Sequence, residues 1–311
     1  MRFLRRAKPV TPLSVFFLLF LLVLTLLNFK KIPDASEIAL RYGAVMAAVL
    51  TASYMRQKSP HSVLIKYVDF LMPLFVILFT FDSMSHITAY INGPDKDPWL
   101  ARMDAYLTGP VPGAWLEWMV HPALTTVLQI CYTSYYFVPL AFCLILFFKR
   151  ETEYFDISLF GITLAFFVSY LGYIIVPALG PRFYLEGQYA HGLMRGGLAQ
   201  GIDSTLNLLE GTNRDAFPSG HTEVVLIVLT YAWRYKRWFF WLALPLVTGL
   251  IVATMYLRYH YVIDVIAGAA LAPVCVKMAD ILYAAYGRYF KVTGFPEMTS
   301  DTPEQRLHHR T

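Results

Sequence analysis

Eight stretches of this chain are so long and so apolar that they constrain its fold more than any single residue does. They run over residues 12–29, 37–55, 64–90, 122–148, 157–179, 221–235, 238–257 and 260–286. Most reach the roughly 20 apolar residues that an α-helix needs to cross the hydrocarbon of a bilayer. Apolar residues make up 57% of the 311 positions and charged ones only 15%, against about 25% charged in soluble domains. With a mean hydropathy of +0.49, the sequence predicts an all-α, polytopic membrane helical bundle of about eight transmembrane helices.

The first run follows Arg2, Arg5, Arg6 and Lys8, which gives it the look of a secretory signal. Asn28-Phe29-Lys30-Lys31 follows it with no small-residue cleavage site, so the stretch reads as an uncleaved first helix. Cationic residues then cluster after alternate runs: Arg56, Lys58 and Lys66; Lys149 and Arg150; Arg234, Lys236 and Arg237; Arg288 and Lys291. By the positive-inside rule both termini are expected in the cytoplasm. The loop 92–121 carries Asp95, Asp97, Asp104 and Glu117 and belongs on the opposite side.

The net charge of +5 thus reflects membrane orientation, and no basic face interleaved with aromatics points to a nucleic-acid partner. Cys131, Cys143 and Cys275 fall far apart inside predicted spans, a pattern of small core residues that favours neither a disulfide framework nor a cysteine metal site. Trp99, Trp115 and Trp118 in loop 92–121 predict a short interfacial helix. The long loop 177–218 reads as a lid, with glycines around 192–197. Residues 287–311 read as a polar cytoplasmic tail whose His308 and His309 have no metal partner in sequence.

The chemistry concentrates at two places. Pro218-Ser219-Gly220-His221 opens an apolar run, so its backbone N–H groups should sit at a helix N-terminus, where unpaired donors and the helix dipole favour an anion. His260 and Asp264 are four apart at the start of the last run, on one helical face, where a carboxylate can orient an imidazole. That is the layout of an activated histidine nucleophile. With this topology Arg182, His221, Arg258 and His260 all reach the outer side, and the sixth run is short enough to leave His221 below the outer surface. Asp82 and His86, i and i+4 in the third run, are candidate acceptor ligands or helix-stabilising groups, since ionisable residues inside membrane helices are usually functional. Glu223 faces away from His221 and is read as bonding internally, and Asp69, at the inner end of its run, as structural.

The two motifs resemble the second and third signatures of the type 2 phosphatidic acid phosphatase superfamily. The resemblance covers about residues 64–286 and implies a six-helix core. It implies that His260 is a nucleophile forming a phosphohistidine, Asp264 its orienting carboxylate and His221 the general acid, with Ser219, Gly220 and Arg182 on the phosphate. No metal or other cofactor is implied. The implied partners are a membrane lipid phosphate, an alcohol acceptor or water, and the bilayer itself. The chain departs from the common pattern at Ile175, where a lysine is usual, at Phe183, where proline is usual, and at Thr254, where arginine is usual. Arg258 and Arg214 are the cations that could stand in. The segments Gly180-Pro181-Arg182 and Tyr256 to Tyr261 look closer to the inositol phosphorylceramide synthase and sphingomyelin synthase branch, whose members pass a phospho-head group to an alcohol.

The expected organisation is therefore two N-terminal helices over residues 1–63, a catalytic membrane unit over 64–286 and the tail over 287–311. The competing readings are a metal-dependent hydrolase using His221, His260 and Asp264 as ligands, and a transporter whose buried charges line a pathway.

Overall fold

The structure is a computed structural model that describes residues 7–190, 192–193, 197–210 and 214–290. Its helices are α1 (Val10–Leu27), α2 (Ala35–Lys58), α3 (Val63–Ile91), α4 (Asp97–Thr108), α5 (Pro122–Phe148), α6 (Thr152–Ile175), α7 (Pro181–Tyr184), α8 (Gly197–Glu210), α9 (Gly220–Tyr235), α10 (Arg237–Tyr256) and α11 (Val262–Phe290). A 3₁₀ turn covers Ala114–Met119. No strand occurs among the described residues. Seven of the helices (α1, α2, α3, α5, α6, α10 and α11) are long and apolar enough to cross a membrane. The protein is an all-α multi-pass membrane bundle.

These segments form helices because an apolar solvent leaves the backbone no other partner than itself. Hydroxyls inside them are satisfied the same way: Thr80 Oγ1 donates to the Val76 carbonyl at 2.7 Å and Thr163 Oγ1 to that of Leu159 at 2.7 Å. Pro73, Pro139, Pro245 and Pro273 lie within helices, as membrane helices tolerate.

The sixth apolar run became α9, whose 16 residues extend only about 24 Å. It is enclosed by α5, α6, α10 and α11. Small residues make that enclosure close. A Cβ on Gly161 of α6 would fall 2.2 Å from the Tyr231 hydroxyl of α9, and one on Gly268 of α11 would fall 2.4 Å from the Ser219 carbonyl. The second contact presses the start of α9 against α11, which is what brings the two sequence motifs together.

α1 and α2 pack on each other and on α3, and α1 also reaches α6. Lys8 joins Asp69 at 2.8 Å and Asp156 at 2.9 Å, and Arg56 lies 3.6 Å from Asp69. Asp69 is thus part of an ion-pair network that ties α1, α2, α3 and the start of α6. Cys143 and Cys275 are buried and Cys131 partly so, all three as free thiols.

The segments 92–121 and 177–218 are more ordered than the sequence implied. Loop 92–121 contains α4 and the 3₁₀ turn, with Trp118 largely exposed and Trp99 and Trp115 partly so. Loop 177–218 is not structureless: it holds α7 and α8, and α8 packs on α5. Part of the glycine-rich stretch (191, 194–196), residue 213, the basic residues 2, 5 and 6, and the tail beyond Phe290 with His308 and His309 lie outside the described residues. α11 starts at Val262, so His260 sits in the turn before the helix and only Asp264 is in its first turn.

Candidate active site

Three connections between helices meet at the N-terminus of α9. Ser219 caps that helix, its hydroxyl accepting from the Thr222 N–H at 3.3 Å, as an N-cap serine does. Its own N–H donates to the Asp264 carbonyl at 3.0 Å, and the Ala216 N–H donates to the Ala178 carbonyl at 3.1 Å. The segments carrying Ala178 to Arg182, Ala216 to His221 and Tyr259 to Asp264 are thereby sewn together through their backbones. Gly180 adopts φ +86°, and a Cβ there would fall 2.5 Å from the Tyr259 carbonyl, so both the turn and the close approach require glycine.

The two histidines meet in this knot. His221 Nδ1 is 3.2 Å from His260 Nε2. The other nitrogen of His260, Nδ1, donates to the Ala216 carbonyl at 2.8 Å and lies 3.5 Å from Asp264 Oδ2. Because a carbonyl can only accept, the His260 proton is on Nδ1, which leaves the Nε2 lone pair aimed at His221. Asp264 is fully buried and accepts from the Tyr261 N–H at 2.8 Å, while its Oδ1 and the Nε2 of His221 have no hydrogen-bond partner among the described residues. Tyr132 and Tyr135 pack on the His221 ring with centroids 4.8 and 4.2 Å away. These tyrosines stand ten and thirteen residues into α5, so the histidine pair is recessed roughly 15 Å from the N-terminal start of that helix. Among the described residues no group of three or more His, Cys, Asp and Glu is arranged to hold a metal ion.

The arginines lie around this pair, each matched by an acid. Arg182 donates to the Tyr259 hydroxyl at 2.9 Å and to Asp203 of α8 at 3.3 Å. Tyr259 in turn stacks on Tyr132 at 4.4 Å, so two aromatic rings separate Arg182 from His221. Arg258 adopts φ +67°, donates to Glu117 at 3.3 Å and lies 3.6 Å over the Tyr189 ring. Arg214 donates to Asp95 at 2.5 Å. Thr254 is buried, with its hydroxyl on the Ile251 carbonyl. Asp82 and His86 are exposed on α3, on the stripe of Leu71, Phe75 and Leu78, outside the ring of groups around His260. Glu223 bonds internally, accepting from Ser169 at 2.7 Å and from the Cys275 thiol at 3.0 Å.

The PAP2 superfamily profile matches residues 98–278, more than half of the chain. The chain belongs to the PAP2 superfamily. Among curated proteins it is similar to the phosphoinositol dihydroceramide synthase of Bacteroides thetaiotaomicron, 26% identical over 195 residues. That match covers 58% of this chain and 60% of the relative, less than two thirds of the relative's length. No solved structure matches. Family membership and this similarity together support an enzyme of the lipid phosphatase and phosphotransferase type.

Three acids at the site escaped the sequence reading, which counted outer-loop acids only as charge. Asp97 is fully buried and takes three donors: the N–H groups of Leu179 and Gly180, both at 2.8 Å, and the Tyr261 hydroxyl at 3.0 Å. Asp104 accepts from the Ile263 N–H at 2.9 Å at the start of α11, and burial pushes its carboxyl up while that bond opposes the shift. Asp97, Leu100 and Asp104 share the buried face of α4, so the legible signal was an amphipathic helix with acids on its inner face. Asp215 precedes the second motif. Its carboxyl is pushed up to about 6 by burial, with His260 nearby opposing the shift.

Asp215 and His221 line the outer end of a cavity of about 150 Å³ whose wall is otherwise aromatic and aliphatic, from Phe70 and Leu74 of α3 to Leu140 of α5 and Ile162 of α6. α3 packs against α1, α2 and α6, whereas α5 packs against α6, α8, α9 and α10. The cavity lies in the gap between α3 and α5, with α6 as its back wall.

Asp97→Ala should remove a shared acceptor from three buried donors, which costs on the order of 3 kcal/mol or more when they are left unpaired. Purified Asp97→Ala in detergent should unfold at clearly lower temperature than the parent and lose turnover. An unchanged melting temperature would show that the knot holds without Asp97.

Proposed function

We propose that this protein transfers a phospho-head group from a membrane lipid to an alcohol, by way of a phosphohistidine on His260, and releases the head group to water when no alcohol is bound. The observation that carries the reading is the 3.2 Å approach of His221 Nδ1 to His260 Nε2, with the far nitrogen of His260 held by the Ala216 carbonyl and Asp264. In the first half-reaction Nε2 attacks phosphorus as the bond to the lipid oxygen breaks, and His221 gives that oxygen a proton from Nδ1. In the second, the incoming hydroxyl returns a proton to His221 and displaces His260. Splitting the transfer in this way lets one site serve either acceptor.

The remaining roles follow from position. Ser219 fixes the turn so that Gly220 and the start of α9 face the phosphate oxygens, where helix N–H groups favour an anion. Arg182, with Arg258 and Arg214 further out, supplies guanidinium donors. The apolar cavity below His221 accommodates a hydrocarbon chain, and Asp82 and His86, one and two turns beyond Leu78 at its edge, can bind the polar part of an acceptor. Transfer is favoured over hydrolysis by this cavity and by the similarity to a protein named as a phosphoinositol dihydroceramide synthase. Residues 64–286 form the catalytic unit of this reading. The site faces the periplasm, cell exterior or organelle lumen, and both termini face the cytoplasm.

His260→Ala should abolish turnover and the acid-labile label left on protein by a donor lipid carrying labelled phosphorus. Asp264→Asn should retain the label at a rate lower by about 10²–10⁴-fold, the scale of losing a histidine-orienting carboxylate. Turnover at parental rate in His260→Ala would sink the mechanism.

Sidedness has its own test. A cysteine at exposed Gln188 should react with an impermeant thiol reagent offered from outside the cell or from the lumen, and one at exposed Lys58 should not. The opposite pattern would turn the topology over.

The pH dependence should carry the signature of Asp215, half ionised near its pKa of about 6. An anion beside the histidines stabilises the positive charge that proton transfer places there. Turnover should therefore fall as pH drops through about 6. Asp215→Asn, uncharged at every pH, should run slower at pH 7.5 and lose that component of the profile, and an unaltered profile would remove Asp215 from the reaction.

A further inference from the structure

Among the described residues, Arg182, Arg214 and Arg258, the arginines around the histidine pair, are each already matched by a carboxylate. Arg182 pairs with Asp203 at 3.3 Å, Arg258 with Glu117 at 3.3 Å and Arg214 with Asp95 at 2.5 Å. The carboxylates of Asp215 and Asp264 lie close to the histidine pair as well. Among the described residues the site is thus rich in hydrogen-bond donors, while the positive charge of these three arginines is compensated.

That combination distinguishes two kinds of lipid phosphate. A phosphomonoester carries close to two negative charges near neutral pH, whereas a phosphodiester has no second acidic proton and carries one. A guanidinium has five N–H donors, so Arg182 can hold Asp203 and still donate to a phosphate oxygen. It cannot neutralise both the carboxylate and a dianion.

Asp203 is the acid best placed to impose this. It lies on α8, which is anchored by Leu206, a residue 2% exposed in the cluster of Tyr132, Tyr256 and Leu257. Its side chain is 12% exposed and that of Arg182 18%, so water screens their charges weakly. Tyr259 bridges the pair to the histidines, accepting from Arg182 and stacking on Tyr132 beside His221.

We propose that Asp203 is a specificity-determining residue that makes the site select a singly charged phosphodiester lipid as donor and reject a doubly charged phosphomonoester. This rests on the phosphotransfer reading given above and adds a donor class and the group that enforces it.

The test compares phosphatidylinositol with phosphatidic acid of the same acyl chains, offered to the purified full-length protein in mixed micelles at pH 7.5, with kcat/KM measured for each. The parent should favour the diester by about tenfold or more. Asp203→Asn should shift the ratio toward phosphatidic acid by about tenfold and tighten inhibition by inorganic phosphate, and Asp203→Glu, which keeps the carboxylate, should retain the parental ratio. A parent that favours phosphatidic acid overturns the proposal without any variant. So does an active Asp203→Asn protein whose ratio is unchanged. A parent that turns over neither lipid and takes no label on His260 would instead remove the phosphotransfer reading on which the proposal stands.

Discussion

The carboxylate of Asp97 holds two of the inter-helix connections in register, and the geometry of the site depends on it. Its oxygens take the N–H groups of Leu179 and Gly180 on one side and the hydroxyl of Tyr261 on the other. Leu179 and Gly180 belong to the segment that presents Arg182, and Tyr261 adjoins His260. The Ala216–Ala178 and Ser219–Asp264 backbone bonds then add the connection that carries His221. Helix packing in a bilayer is set by shape and small residues, and it leaves the connections between helices free to shift. A buried anion surrounded by donors fixes them, because each donor would otherwise lose its partner away from water.

The depth of the histidine pair has a separate cause. α9 is short, and the close approaches at Gly161 and Gly268 seat it among longer helices. Its N-terminus therefore opens short of the ends of its neighbours, beside an apolar cavity that lies between α3 and α5. In the proposed reaction the lipid's hydrocarbon chain occupies this cavity while its phosphate lies at the start of α9. Recessed polar chemistry joined to a lateral apolar gap is what a reaction on a membrane lipid needs; the recess follows from the short α9 and the gap from the separation of α3 and α5.

Electrostatics narrows the chemistry further. Arg182, Arg214 and Arg258 read in sequence as three positive charges facing a phosphate, and in the fold each is balanced by an acid. The arginines contribute directed donors more than net charge, so the shape and valence of the ligand matter more than its attraction to a positive surface.

The apolar runs by themselves determined the all-α membrane bundle, because a segment of that length without charges has no other way to satisfy its backbone in lipid. The spacing of Ser219, Gly220 and His221, and of His260 and Asp264, likewise marked the elements that meet at the site, since capping and the i, i+4 relation are local rules. What stayed hidden was everything set by partners distant in the chain. Asp97 and Asp104 looked like ordinary loop acids, Asp203 and Asp215 drew no reading at all, and the two helices inside loop 177–218 were read as a loop. Arg258 and Arg182 gave no sign of their carboxylate partners. Only the tertiary structure decided these, because whether a carboxylate is solvated, capping a helix or neutralising an arginine depends on which donors the fold brings within about 3 Å, and hydrogen bonds of that length leave no trace in local sequence.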